Sequence, residues 1–307
     1  MKSLFAVLVL AAGLAQGADD AFMKGRRFAA GDYTAGKVCV VEADGKVSWS
    51  HPAKNCNDLW ILPGGSILFV TGNGAKEVAF KDKAVLFEYN SPAEIYTAQR
   101  LPNGNTFIGE CSSAKLLEVA PDGKVVKELA MIPPEEAQGN ASPGGHLFMR
   151  NARVLPNGNF LLGHYAKREA TEYAPDGKVV WRFKAPAGVH SVTRLANGNT
   201  IATGSDSGTV GVYEADASGA IVWQVTNADL PGEPLKFVTG FNVLPNGNIL
   251  ISNWVGHGQF GKAPHLLEIT REKKVVWTFD DHENFKTIAT VQVFGEGDAP
   301  LNGDGFH

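Results

Sequence analysis

After an apolar run from Leu4 to Leu14, hydrophobic residues come in short stretches, interrupted at regular intervals by Gly, Pro, Asn and Asp. Short apolar stretches bounded by turn residues read as β-strands joined by hairpins. One interruption recurs almost unchanged. Leu-Pro-Asn-Gly-Asn stands at Leu101–Asn105, Leu155–Asn159 and Leu244–Asn248, with looser copies at Leu62–Ser66 and Leu195–Asn199. The intervals between their first residues are 39, 54, 40 and 49 residues, a blade-like period with insertions. Asn-Gly between apolar stretches predicts a hairpin turn with both residues at positive φ.

Roughly 20 residues further on comes a second turn, Ala-Pro-Asp-Gly-Lys, seen in Leu117–Val126 and Glu172–Trp181. Each unit is therefore expected to be four antiparallel strands, A to D, in meander order. An aromatic residue is expected to end strand D, as Trp49, Phe87, Trp181, Trp223 and Trp277, packing against the outside of the sheet; Lys127 breaks the series in the second unit. Complete units start near Asp58, Tyr96, Arg150, His190 and Thr239. The C-terminal stretch Ala289–Phe294 reads as one more strand A, and Phe28–Trp49 supplies strands B, C and D. The expected fold is all-β: a six-bladed β-propeller of four-stranded antiparallel blades, the ring closed by N-terminal strands B, C and D plus C-terminal strand A. Such closure pairs strand edges that would otherwise be exposed. The segment from Ala130 to His146 is too short for a seventh blade and reads as a loop.

Composition narrows the setting. The chain has 307 residues, 44% hydrophobic and 20% charged, which suits a folded globular protein. A net charge of −4 without a basic stripe argues against nucleic acid as a partner. Lys2, the apolar run and the small residues Ala15-Gln16-Gly17-Ala18 make residues 1–17 a signal peptide and 18–307 one propeller domain; the expected location is periplasmic or secreted. No segment is apolar enough to span a bilayer. Cys39, Cys56 and Cys111 leave at least one thiol unpaired within the chain; one disulfide and three buried thiols are both open.

The A-to-B turns are uniform, so the variable loops lie on the opposite face, where function is expected. Polar residues two before each repeat Leu, including Gln99, Arg153, Thr193, Asn242 and Gln292, would line the central channel. At its mouth the candidates to bind a ligand are Arg150, Asn151, Tyr96, Glu110, Arg153, His146, Asn253 and His257. An Arg there suits a carboxylate or sulfate. His190 and His164 are the candidate catalytic residues, and His164, His190 and Glu110 the candidate ligands of a divalent metal. The glycine-bearing loop Gly256–His265, beside Trp254, is a candidate lid.

Ala-Pro-Asp-Gly-Lys-Val-Val-Trp and Leu-Pro-Asn-Gly-Asn resemble the repeats of bacterial quinoprotein-like (PQQ-like) β-propellers, over nearly the whole chain. The resemblance implies the fold and no activity. Dehydrogenases of that family usually have eight blades and many carry a vicinal Cys-Cys pair; six units and no such pair argue against a bound quinone. His190–Asn199 is also similar to the His-containing repeat of bacterial arylsulfotransferases, which implies a nucleophilic role for His190. The first expectation is an exported propeller that binds a polar or anionic ligand, such as a saccharide, at the channel mouth, with a protein partner on the loop face as a further candidate. The alternatives are a metal-assisted hydrolase or lyase acting on carbohydrate-type substrates, and a His-dependent sulfotransferase.

Overall fold

The computed structural model describes residues 21–131, 146–206 and 208–301. The expected signal peptide, residues 1–17, and nearly all of the 130–146 segment expected to be a loop lie outside the described residues. Within them the chain forms six antiparallel four-stranded sheets. Blade one is β4 (Leu59–Leu62), β5 (Ser66–Val70), β6 (Gly74–Ala79) and β7 (Val85–Asn90). Blade two is β8 (Ile95–Arg100), β9 (Thr106–Glu110), β10 (Lys115–Val119) and β11 (Val125–Ala130). Blade three is β12 (Met149–Val154), β13 (Phe160–His164), β14 (Glu169–Tyr173) and β15 (Val179–Lys184). Blade four is β16 (Val189–Arg194), β17 (Thr200–Asp206), β18 (Thr209–Ala215) and β19 (Ile221–Thr226). Blade five is β20 (Val238–Val243), β21 (Ile249–Asn253), β22 (Leu266–Ile269) and β23 (Val275–Phe279). Blade six joins β24 (Ile288–Val293) to β1 (Phe28–Asp32), β2 (Lys37–Val41) and β3 (Val47–Pro52). Ala30 pairs with Val291 on one side and Cys39 on the other, so the two ends of the chain share one sheet.

The turns differ from expectation in a way that Pro explains. In Leu101–Asn105 only Gly104 has positive φ; Asn103 does not. Gly104 N–H donates to Leu101 O, and Asn105 N–H donates to Asn103 Oδ1 at 3.0 Å. The loop is therefore a three-residue Pro-Asn-Gly turn, with Pro at the negative φ that its ring imposes and Gly alone left-handed. The Asp-Gly turns follow the same plan, with Lys124 N–H donating to Asp122 Oδ1 at 3.2 Å. The aromatic residues also sit elsewhere than expected, at the third position of strand D rather than at its end.

The core lies in the seams between blades, where apolar faces of neighbouring sheets meet, for example Leu195, Val212, Phe241 and Ile251 between blades four and five. A repeated polar clasp closes the turn-side rim. Glu172 on β14 accepts from Asn159 Nδ2 at 2.7 Å and pairs with Arg194 of the next blade at 2.7 Å. Arg194 also lies over the Trp181 ring, 4.6 Å from its centroid. Near the axis, side-chain amides stitch blade to blade: Gln99 Nε2 donates to Val154 O at 3.4 Å, and Asn242 Nδ2 to Val291 O at 2.9 Å. The three cysteines are buried, and none forms a disulfide. The C-terminal segment folds back as far as it is described: Phe294 bridges Pro300, and Leu301 N–H donates to Val293 O.

Candidate functional site

Five of the six innermost strands carry a β-bulge at one equivalent position. The register shifts between Ile95 and Thr97, Met149 and Asn151, Val189 and Ser191, Val238 and Gly240, and opposite Gly31 and Asp32. The unpaired residues are Tyr96, Arg150, His190, Thr239 and Ala289, and blade one contributes Asn57 just before β4. Each stands five residues before its blade's repeat Leu, or before Phe294 in blade six. A bulge re-aims a side chain and ends regular pairing. Here it turns one residue per blade toward the axis at the mouth of the channel.

A cavity of about 160 Å³ results, lined by Asn57, Tyr96, Arg150, His190 and Thr239 of this ring together with Tyr33, His146, Phe237, Trp254 and His257. The small Ala289 side chain leaves the sixth place to Tyr33. The cavity adjoins a groove of about 750 Å³ that shares Phe237 and His257 and is lined by Tyr165, Asp206, Asn227 and Lys236. The expected lid residues do lie here: the rings of Trp254 and His257 meet edge to face at 4.8 Å, and the Trp254 ring covers Gly256, where a Cβ would come within 2.0 Å of it.

Of the residues lining the cavity itself, Arg150 alone is an Arg, Lys, Asp or Glu. Arg150 is only 9% exposed, donates to Tyr96 Oη and stacks over the Tyr96 and Tyr165 rings at 4.5 and 5.2 Å. Among the described residues no carboxylate pairs with it, and its Nε has no partner. His190 is 8% exposed, held edge-on between Tyr165 (4.9 Å) and Phe237 (4.8 Å), and its Nε2 has no partner. Burial, then the charge of Arg150, then His146 and His257, push its pKa well below the ordinary range, so the ring is neutral at pH 7. The Glu94 carboxylate stands behind the wall, 2.8 Å from Nδ1 of the lining residue His146. The mouth thus presents a buried guanidinium and a neutral imidazole to whatever enters, between aromatic walls.

The structure brings together Tyr96, Arg150, His146, His190 and His257 from the sequence-derived set. It does not bring His164, Glu110 or Asn253 to them. These three are equivalent residues at the end of strand B, paired with Met149, Ile95 and Val238, which precede the bulges and face the seams. His164 is fully buried, its Nε2 2.9 Å from Tyr173 Oη, and burial lowers its pKa to about 4. Glu110 accepts from Ser91, Tyr89 and Ser113 hydroxyls. The proposed His164–His190–Glu110 metal set is therefore corrected: its members do not converge, and no group of three metal-ligating side chains occurs among the described residues. Asn253 braces loops, donating to Pro234 O and Pro264 O while accepting from Lys236 N–H. Arg153 lies deeper in the channel, in a two-pronged pair with Asp58 at 2.9 Å for each contact. Asn151 is buried beside Arg150, with its Oδ1 unpartnered.

The comparisons with known proteins agree with the architecture. Residues 112–253 match the family model described as outer membrane protein assembly factor BamB, built of PQQ-like repeats. The chain is a six-bladed β-propeller of PQQ-like type. Among solved structures, this PQQ-like propeller is similar to a protein of unknown function from Bacteroides caccae, at 28% identity and a TM-score of 0.75, covering 87% of this chain and 98% of that one. It shares its fold with virginiamycin B lyase from Staphylococcus aureus, at 14% identity and a TM-score of 0.56, covering 81% and 79%. A β-propeller domain of Cps50 (Swd1) from Myceliophteria thermophila is similar at 13% identity and a TM-score of 0.55, covering 83% and 87%. No curated protein matches the chain. Within the PQQ-like propeller, the wall residues that sequence reasoning did not assign to binding are Tyr33, Asn57, Phe237, Thr239 and Trp254. A signal for two of them was present: Tyr33 and Trp254, like Tyr165, directly follow the last residue of a strand B.

Proposed function

We propose that this propeller binds a small anionic ligand at the mouth of its channel, with a carboxylate or sulfate against Arg150 and His190 and a ring-shaped body, such as a sugar, between Tyr33, Tyr96, Phe237 and Trp254. The observation that carries the reading is Arg150 itself. A guanidinium only 9% exposed, with no carboxylate paired to it among the described residues, is costly to keep, and an anion accepting from its unpartnered Nε–H lowers that cost. The unpartnered His190 Nε2 gives the same anion a second donor. The aromatic walls offer the apolar ring faces on which sugars and other flat ligands stack, and the adjoining groove leaves room for a body larger than the cavity. Export is part of the proposal and rests on the leader-like residues 1–17.

The test is calorimetric titration with sugar acids, aryl carboxylates, aryl sulfates and their neutral counterparts. Saturable binding of the anions alone is expected, falling at least about tenfold in Arg150→Met. Equal affinity for neutral and anionic members overturns the reading. A second reading makes His190 the general base of a lyase, or the nucleophile of sulfuryl transfer. What favours it is the neutral ring with a free nitrogen inside the cavity. Turnover of an aryl sulfate or a uronate-containing sugar, abolished in His190→Ala, is the outcome that selects it.

A further inference from the structure

The six seams are not alike on the turn face, opposite the mouth. Strand C carries an inward Glu in five blades: Glu77, Glu118, Glu172, Glu214 and Glu268. In four of them the neighbouring part of the chain answers its charge across the seam. Arg100 pairs with Glu77, Arg194 with Glu172 and Arg271 with Glu214, while the Phe22 and Met23 N–H groups donate to Glu268, each at 2.8 Å. Beside each Glu, at the third position of strand D, stands an aromatic ring. Arg100, Arg194 and Arg271 cover Phe87, Trp181 and Trp223 at 5.1, 4.6 and 5.0 Å.

The seam between blades two and three lacks every one of these parts except the acid. Lys127 replaces the aromatic, and Val154 stands where Arg100 and Arg194 stand in their blades. Glu118 accepts only from Asn103 and Asn105, at 2.8 and 2.6 Å, and makes no ion pair among the described residues, not even with its strand partner Lys127. What remains is a slot of about 200 Å³ with apolar walls from Leu101, Leu116, Leu129, Val154 and Phe160, and with Glu118 and the exposed Lys127 also lining it. The stacked rings of Phe107 and Phe160, 5.8 Å apart at 9°, lie beside it. An apolar cavity of about 150 Å³ is large enough for benzene, so this one has room for a larger aromatic ring.

We infer that this slot is a second binding site, and that it takes a small aromatic amine: a flat ring in the apolar slot and an ammonium group on the Glu118 carboxylate. The template is the protein itself, because the intact seams hold a ring and a cation about 5 Å apart against the same Glu. Glu118, held by neutral amides alone, favours a cation over a neutral or acidic aromatic, and the exposed Lys127 chain is the competing charge that the ligand's ammonium displaces. The site lies on the face opposite the mouth and does not depend on what the mouth binds.

The experiment uses the full chain and tryptamine as the probe, with indole-3-acetate and a short Trp-Arg peptide as comparisons, followed by amide and methyl NMR shifts. Tryptamine is expected to saturate in the millimolar range or below, shifting Leu101, Leu129 and Val154 but not Tyr96 or His190. Glu118→Gln is expected to weaken it by about fivefold. The double change Lys127→Trp with Val154→Arg rebuilds the missing seam; it is expected to raise the melting temperature and to abolish the shifts. No saturable shift at the seam, equal binding of indole-3-acetate, or binding unchanged in the rebuilt seam overturns the inference. Binding of the peptide without tryptamine also overturns it, in favour of a polypeptide partner.

Discussion

The two ends of strand A use the same repeat for opposite purposes. At the turn end, polar groups are spent on cohesion: each Asn-Gly turn is clasped by a Glu, and in three seams an Arg from the next blade closes the clasp. At the mouth end the bulges break the pairing, and Arg150, His190 and Asn151 are left with buried polar atoms that nothing among the described residues satisfies. Buried polar groups are normally paired, so a cluster of unpaired ones on a rigid frame is a place where stability has been given up for binding. One end holds the ring together; the other is held ready by it.

The sharpest way to break the comparison is to attack the frame beneath the mouth. Asp58 and Arg153 join blades one and three, both almost fully buried, with Thr97 of blade two donating to Asp58 Oδ2 at 2.8 Å. Removing one partner leaves the other charge buried and alone, so Asp58→Ala is expected to cost about 3–5 kcal/mol by denaturant unfolding. Next comes acid. His164 has a pKa of about 4 in the fold against an ordinary value near 6.5, so below pH 6.5 the unfolded chain takes up a proton that the native chain refuses. Stability is full above pH 6.5 and is expected to fall by up to about 3 kcal/mol as pH drops to 4, then to level off for this group. Unfolding midpoints across that range check it, and His164→Gln should flatten the slope. Arg150→Met separates the two ends most cleanly: ligand affinity is expected to drop while stability holds or rises by about 1 kcal/mol, because the lost charge has no carboxylate partner among the described residues. The smallest effect is expected on the turn face, where Asn159→Ala removes one clasp to Glu172 and should cost about 1 kcal/mol, without touching binding.

The fold was legible because turn chemistry is local. Pro-Asn-Gly and Pro-Asp-Gly turns mark the strands between them, and counting the units requires no knowledge of contacts. Ring closure followed from an unmatched strand at each end. The site was legible only in part, because a bulge changes which residues face the axis. Arg150 and His190 are bulged and point inward; His164, Glu110 and Asn253 pair with the residue before the bulge and point into a seam. Nothing in the alternation of apolar and polar residues shows where that slip occurs. Lys127 did announce itself as a break in the aromatic series, but the slot it leaves depends on Val154, in the next blade, also departing from its counterparts.

The most direct measurement of the central claim is the affinity of an anionic ligand at pH 7 for the wild type and for Arg150→Met, read by calorimetry on the same samples whose unfolding is recorded. Affinity lost with stability kept or raised is the expected result. A variant that unfolds more easily and binds as before would mean that Arg150 is part of the scaffold, and that the mouth is no binding site.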